Sequence, residues 1–200
     1  MFWDNIAIFY DLFEDVYNGK VNKTLCHEVA ALVTSSDEVL ECACGTGMLT
    51  AYLAPACKDI VATDFSRMML KRASAKCRHC ANASFEFADI TQLAYANARF
   101  DKVVAANVIH LLDEPLRALA ELDRVCKPGG QIIIPTYINL EKGKGKTSRI
   151  ATLIGKAGAD FKRQFTFESY QHFFADAGYK DTTCTMIDGR MPCAVAVINK

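Results

Sequence analysis

Three features of the sequence predict an α/β fold, a Rossmann-like three-layer sandwich around a seven-stranded, mostly parallel sheet with an antiparallel C-terminal strand. The apolar run Val39-Leu40-Glu41-Cys42 passes through Ala43-Cys44-Gly45-Thr46-Gly47 into Met48, Leu49, Tyr52 and Leu53, which share one face at helical spacing. Strand, Gly-x-Gly and helix in that order mark the first βα unit of such a sheet, because backbone without Cβ turns tightly and lies against a bound ligand. Further strand-like runs start at Ile60, Phe85, Phe100 and Gln131 and alternate with helical stretches, the order that builds parallel βαβ units. Finally, Asp181 to Ile187 and Ala194 to Asn199 read as strands joined by a loop too short for a crossover helix, so they must pair antiparallel.

The chain has 200 residues, 51% of them hydrophobic, which suits one domain with a real core. It divides into an N-terminal helical cap, 1–34, and a Rossmann-like core, 35–200. Acidic and basic residues balance at 23 each, so no global field draws the protein to nucleic acid or anionic lipid. Nine cysteines without a leader point to reduced thiols in a cytoplasmic setting. No apolar run approaches the roughly 18 residues of a spanning helix.

In chain order, Phe2, Ile6, Phe9, Phe13 and Val16 form one face of an amphipathic helix, read as a cover docked on the domain. A second helix, Lys20 to Val33, leads into the first strand. The second strand ends at Asp64, about 20 residues past the glycine turn, where a carboxylate accepts hydrogen bonds from ribose hydroxyls. Ser66 follows as the expected N-cap of the next helix. Cys77-Arg78-His79-Cys80 closes that helix; without a second ligand pair it reads as a helix end rather than a zinc site. The third strand ends at Asp89-Ile90. The fourth, Phe100 to Asn107, delivers Val108, Ile109 and His110 to the carboxyl edge of the sheet, where ligands of open α/β sheets bind.

His110 is open to two readings. With an ordinary pKa near 6.5 it could take a proton from an acceptor group, or it could be a hydrogen-bonded structural histidine. A helix from Leu116 to Val125 precedes a Lys127-Pro128-Gly129-Gly130 turn and the fifth strand, after which Thr136, Tyr137 and Asn139 fall where substrate pockets often sit. The lysine-rich run from Lys142 lacks the glycine spacing of a P-loop. Thr166 caps a last helix that stops at Gly178.

The glycines do not match the dinucleotide fingerprint, since Met48 stands where its sixth position requires glycine. Glu41-x-Ala43-x-Gly45-x-Gly47 instead resembles the first motif of class I S-adenosylmethionine-dependent methyltransferases, with Ala43 in place of the first glycine. Asp64-x-Ser66-x-x-Met69-Leu70 is similar to the corresponding segment of ubiquinone and menaquinone methyltransferases, and Lys127-Pro128-Gly129-Gly130 is another shared feature. The resemblance implies S-adenosyl-L-methionine as cofactor. It places Glu41 near the cofactor's amino group, Gly45 and Gly47 at its methionine part, Asp64 and Phe65 at its ribose, and Asp89 and Ile90 at its adenine. Asn107 and Val108 would border it, and Tyr10 would reach it from a closing N-terminal segment. His110 and Tyr137 would face a small-molecule acceptor, with no metal required. Two alternatives stand beside this: an RNA-modifying methyltransferase using the basic stretch 142–163, and a domain that binds the cofactor without catalysis.

Overall fold

A computed structural model describes residues 18–139 and 162–200. The N-terminal amphipathic run with Tyr10, and nearly all of the basic stretch, lie outside the described residues. The strands are β1 (Glu38–Cys42), β2 (Asp59–Asp64), β3 (Ala83–Phe87), β4 (Phe100–Ala105), β5 (Cys126–Tyr137), β6 (Thr183–Ile187) and β7 (Cys193–Asn199). They form a 7-stranded sheet in the order β3-β2-β1-β4-β5-β7-β6. Pairing is parallel from β3 through β5, while β7 runs antiparallel to both β5 and β6. The terminal hairpin and the reversed β7 thus stand as the short loop requires.

Apolar residues cover both faces of the central strands, as a sheet flanked by two helical layers demands. One cluster gathers Leu40, Cys42, Val103 and Ile132 beneath α4 (Pro115–Val125) and α5 (Phe167–Asp176). The other gathers Val39, Val104, Ile133 and Val195 beneath α1 (Gly19–Ala30) and α2 (Thr50–Leu53). Odd and even residues of each strand therefore serve opposite layers. The remaining helix, α3 (Arg67–Lys76), packs its Ala73 beside Ala62 of β2.

Local chemistry sets most of the boundaries. Ser66 caps α3 by accepting from Met69 N at 3.2 Å, and Thr166 caps α5 in a reciprocal box with Ser169. Asn18, at the start of α1, instead uses its amide as a second backbone: Nδ2 donates to Met191 O at 3.0 Å and Oδ1 accepts from Met191 N at 3.3 Å.

Two expectations need correction. The helix after the glycine turn is a single turn, Thr50–Leu53, continued as a 3-10 helix, Ala54–Ala56, because Pro55 has no N–H with which to extend α hydrogen bonding. The Lys127-Pro128-Gly129-Gly130 segment is part of β5, with a register shift between Phe100 and Lys102, rather than a turn ahead of it. Both glycines are needed there. Gly129 has φ +80, and a Cβ on Gly130 would lie 2.6 Å from Asp101 O.

Candidate active site

The carboxyl ends of β1, β2, β3 and β4 enclose a cleft of about 440 Å³. Ala43 and Gly45 from the turn after β1, Asp64 and Phe65 from the end of β2, Asp89 and Ile90 after β3, and Asn107 and Val108 after β4 all line it. These eight come from the sequence reading, and the topology brings them to one edge because parallel strands all end there.

Asp64 is the best-fixed polar group on the wall. Its Oδ2 accepts from Gly45 N at 2.9 Å and its Oδ1 from Ser66 N at 2.8 Å. Each carboxylate oxygen offers two lone-pair directions, so the pair of backbone bonds orients the group and leaves acceptor capacity for a ligand diol. The Gly45 bond also ties the glycine turn to β2. Asp89 is held by Thr91, whose N and Oγ1 donate to Oδ1 at 2.8 and 2.7 Å. Ile90 is buried beside it, while Phe65 is half exposed and packs on Phe87 with ring centroids 5.1 Å apart. Apolar ring surface and an acceptor-only carboxylate together suit a flat heterocycle bearing an amine.

Two of the three non-glycine residues with positive φ among the described residues lie at the same edge, the third being Ala98 before β4. Ala43 and Asn107, which follow the two central strands, have φ of +55 and +52. That left-handed region costs an L residue roughly 1–2 kcal/mol, less for asparagine. Asn107 is held in place at both ends: its N donates to Pro135 O at 2.8 Å and its Oδ1 accepts from Tyr137 N at 3.0 Å. Strained residues of this sort gather where a backbone must fit a ligand.

Four site expectations land elsewhere. Glu41 is buried and accepts from Thr50 Oγ1 at 2.6 Å, off the cleft wall, because it shares the face of β1 that Val39 turns toward α1 and α2. Gly47 also lies off the wall; a Cβ there would sit 3.0 Å from Ala73, so its smallness serves the packing of α3. Tyr137 donates its hydroxyl to Asn22 Oδ1 on α1, again away from the cleft. His110 is 6% exposed and not on the wall, and burial pushes its imidazole down to about 4. An imidazole so placed is a poor base for an acceptor in the cleft. Thr136 is likewise buried, and Asn139 bonds Gln164.

The sequence reading missed Thr63, Met69 and Thr91, and the run Leu111 to Glu114 after β4. That run had a signal, since it lies between a strand end at the ligand edge and Pro115, which opens α4. Its polar end is engaged: Lys162 Nζ pairs with Asp113 at 3.1 Å, and Arg163 donates through Nη1 to Leu112 O at 2.6 Å.

Comparison with known proteins agrees with this architecture. Residues 40–134 match the methyltransferase domain family. A demethylmenaquinone methyltransferase of Renibacterium salmoninarum is 33% identical over 147 residues, 72% of this chain and 61% of the relative. A phosphatidylethanolamine N-methyltransferase of Cereibacter sphaeroides is 32% identical over 129 residues, 62% of this chain and 63% of the relative. The chain thus spans about six tenths of each. Among solved structures, a Thermotoga maritima S-adenosylmethionine-dependent methyltransferase, a possible histamine N-methyltransferase, superposes with a TM-score of 0.73 over 100% of this chain and 98% of its own, at 17% identity. The DhpI–SAH complex gives 0.72 over 98% and 91%, at 18% identity.

Proposed function

We propose, from the premise that this chain belongs to the class I S-adenosylmethionine-dependent methyltransferases, that it carries the methyl group of that cofactor to a small-molecule acceptor. The observation that supports this most directly is Asp64, locked by Gly45 N and Ser66 N on the wall of a cleft that four strand ends share. The cleft fits the cofactor by chemistry: an oriented carboxylate for a ribose diol, Asp89 and Ile90 for adenine, and left-handed backbone at Ala43 for close approach.

When bound, the cofactor supplies an electrophilic methyl on a sulfonium, open to in-line displacement. The chain's own part is orientation and exclusion of water. Asp64 fixes one end, while Val108, Leu111 and Leu112 give the other an apolar wall against which an acceptor ring can lie. His110 is not on the cleft wall and burial lowers it to about 4, which makes it a weak base for the acceptor proton. A hydroquinone, whose phenolate form is a strong nucleophile without any histidine base, meets that condition. The demethylmenaquinone relatives support the same class. The amine named in the Cereibacter relative is the second reading; Asp113 and Glu114 on the wall would receive an ammonium by exchanging their ion pairs with Lys162 and Arg117. An RNA acceptor would use the basic stretch 142–163, of which only Lys162 and Arg163 are described, and both bond the loop after β4.

Calorimetric titration with S-adenosylmethionine, S-adenosylhomocysteine and NADH tests the cofactor. Both adenosyl ligands should bind and NADH should not, and Asp64→Asn should weaken adenosyl binding by about 10-fold or more through loss of a charged acceptor. Hydroquinone and amine acceptors are then compared by methyl incorporation. Unchanged affinity in Asp64→Asn would remove the central contact of the proposal.

A further inference from the structure

Cys77-Arg78-His79-Cys80 has no part in the cleft, yet it touches the glycine turn. Cys77 ends α3, its N donating to Ala73 O at 2.9 Å, and Cys80 N donates to Cys77 O at 2.8 Å. A turn closed by that bond keeps its first and last Cα atoms within about 7 Å, and disulfides span roughly 4.4–6.8 Å. The two thiols are close enough that, after burial, Cys80 adds to the upward push on the Cys77 thiol. Cys77 is buried, whereas Cys80 is only partly so, and both are free. Cys77 Sγ donates to Gly47 O at 3.6 Å, and the same helix meets Gly47 through Ala73. The sulfur therefore braces the backbone that leads out of the cofactor turn.

We propose that Cys77 and Cys80 are a redox modification site whose disulfide withdraws the Cys77 sulfur from Gly47 and weakens cofactor binding; the second half rests on the cofactor reading above. The oxidant is a small-molecule disulfide of the glutathione class. Cys80, the more accessible thiol, attacks it as thiolate, forming a mixed disulfide and expelling one small thiolate. Cys77 then attacks the Cys80 sulfur, forming the internal disulfide and expelling the second. Two protein thiols are oxidised, one external disulfide is reduced to two thiols, and the two protons pass to those leaving groups. Burial pushes the Cys77 thiol up to about 11, so its attack, which needs the thiolate, is the slower of the two steps.

The test is to treat the reduced full chain with oxidised glutathione, map disulfides by mass spectrometry and titrate S-adenosylmethionine before and after. The expected result is a loss of about 2 Da located at Cys77–Cys80, a cofactor affinity at least ~3-fold weaker, and recovery with dithiothreitol. Cys80→Ser should bind cofactor like the reduced protein and should not respond. Failure to form the bond overturns the site, as does a Cys57–Cys80 link, the competing pair. A mapped Cys77–Cys80 disulfide with unchanged affinity overturns the coupling. A mapped disulfide in a protein whose reduced form binds no S-adenosylmethionine upholds the thiol chemistry and overturns the coupling together with the cofactor reading.

Discussion

Ala43 holds a left-handed backbone that a glycine would adopt without strain. The cost to alanine is about 1–2 kcal/mol, and glycine would return some 0.5–1 of it as unfolded-chain entropy. Ala43→Gly should therefore stabilise the protein by about 0.5–1 kcal/mol in urea unfolding. A loss of stability would show that the left-handed turn is not strained. His110 makes a prediction of opposite kind. Its folded pKa of about 4 lies below the ordinary 6.5, so its contribution to stability is complete above pH 6.5 and is lost as pH falls toward 4. Between pH 7 and 4.5 this amounts to about 2 kcal/mol, and His110→Phe should remove that part of the acid sensitivity. The same variant, if folded, should leave the pH profile of methyl transfer between 6 and 9 unchanged. Loss of a rising limb on the acid side would return the histidine to catalysis.

At the scale of elements, α1 is held by polar bonds as much as by Leu25 and Val29. Tyr137 Oη to Asn22 and the two Asn18 bonds to Met191 join it to β5 and to the terminal hairpin. Tyr137→Phe leaves the buried Asn22 without that donor and should cost about 1–2 kcal/mol, with kcat essentially unchanged. A large fall in kcat at unaltered stability would restore Tyr137 to the acceptor side. Here the limits of the sequence have a physical cause. Strand ends were legible because any residue following a parallel strand emerges at the ligand edge, which is why Asp64, Asp89 and Asn107 were found. Glu41 and Tyr137 misled because they belong to the strands, where the period of two sends them to the α1 layer with Val39 and Ile133. That parity was readable. His110 was not, since it sits in a loop whose direction depends on packing against partners distant in sequence, Arg163 N to His110 O among them.

For the molecule as a whole, the order β5-β7-β6 puts β7 inside the sheet and leaves β6 as its edge. Cys193 to Ala196 are buried, and β7 satisfies the ladder of β5 from Gln131 to Tyr137. Removing residues 181–200 should leave β5 as a bare apolar edge, giving aggregation in size-exclusion chromatography and loss of cooperative unfolding. A soluble, cooperative fragment would mean that five parallel strands suffice. The glycine turn lies four strands from β6 and the cleft's nearer wall three, so this dependence could not be inferred from the motifs alone.

The stitch between Asn18 and Met191 joins positions 173 residues apart. Closing so long a loop is entropically expensive and is not rewarded until the sheet on which both ends rest exists. The stitch should therefore be a late event in folding, absent from the rate-limiting barrier. Asn18→Ala should then accelerate unfolding while leaving the refolding rate nearly untouched, a split that stopped-flow chevrons resolve. Persistence of the folded state, rather than speed of reaching it, is what those two amide bonds govern.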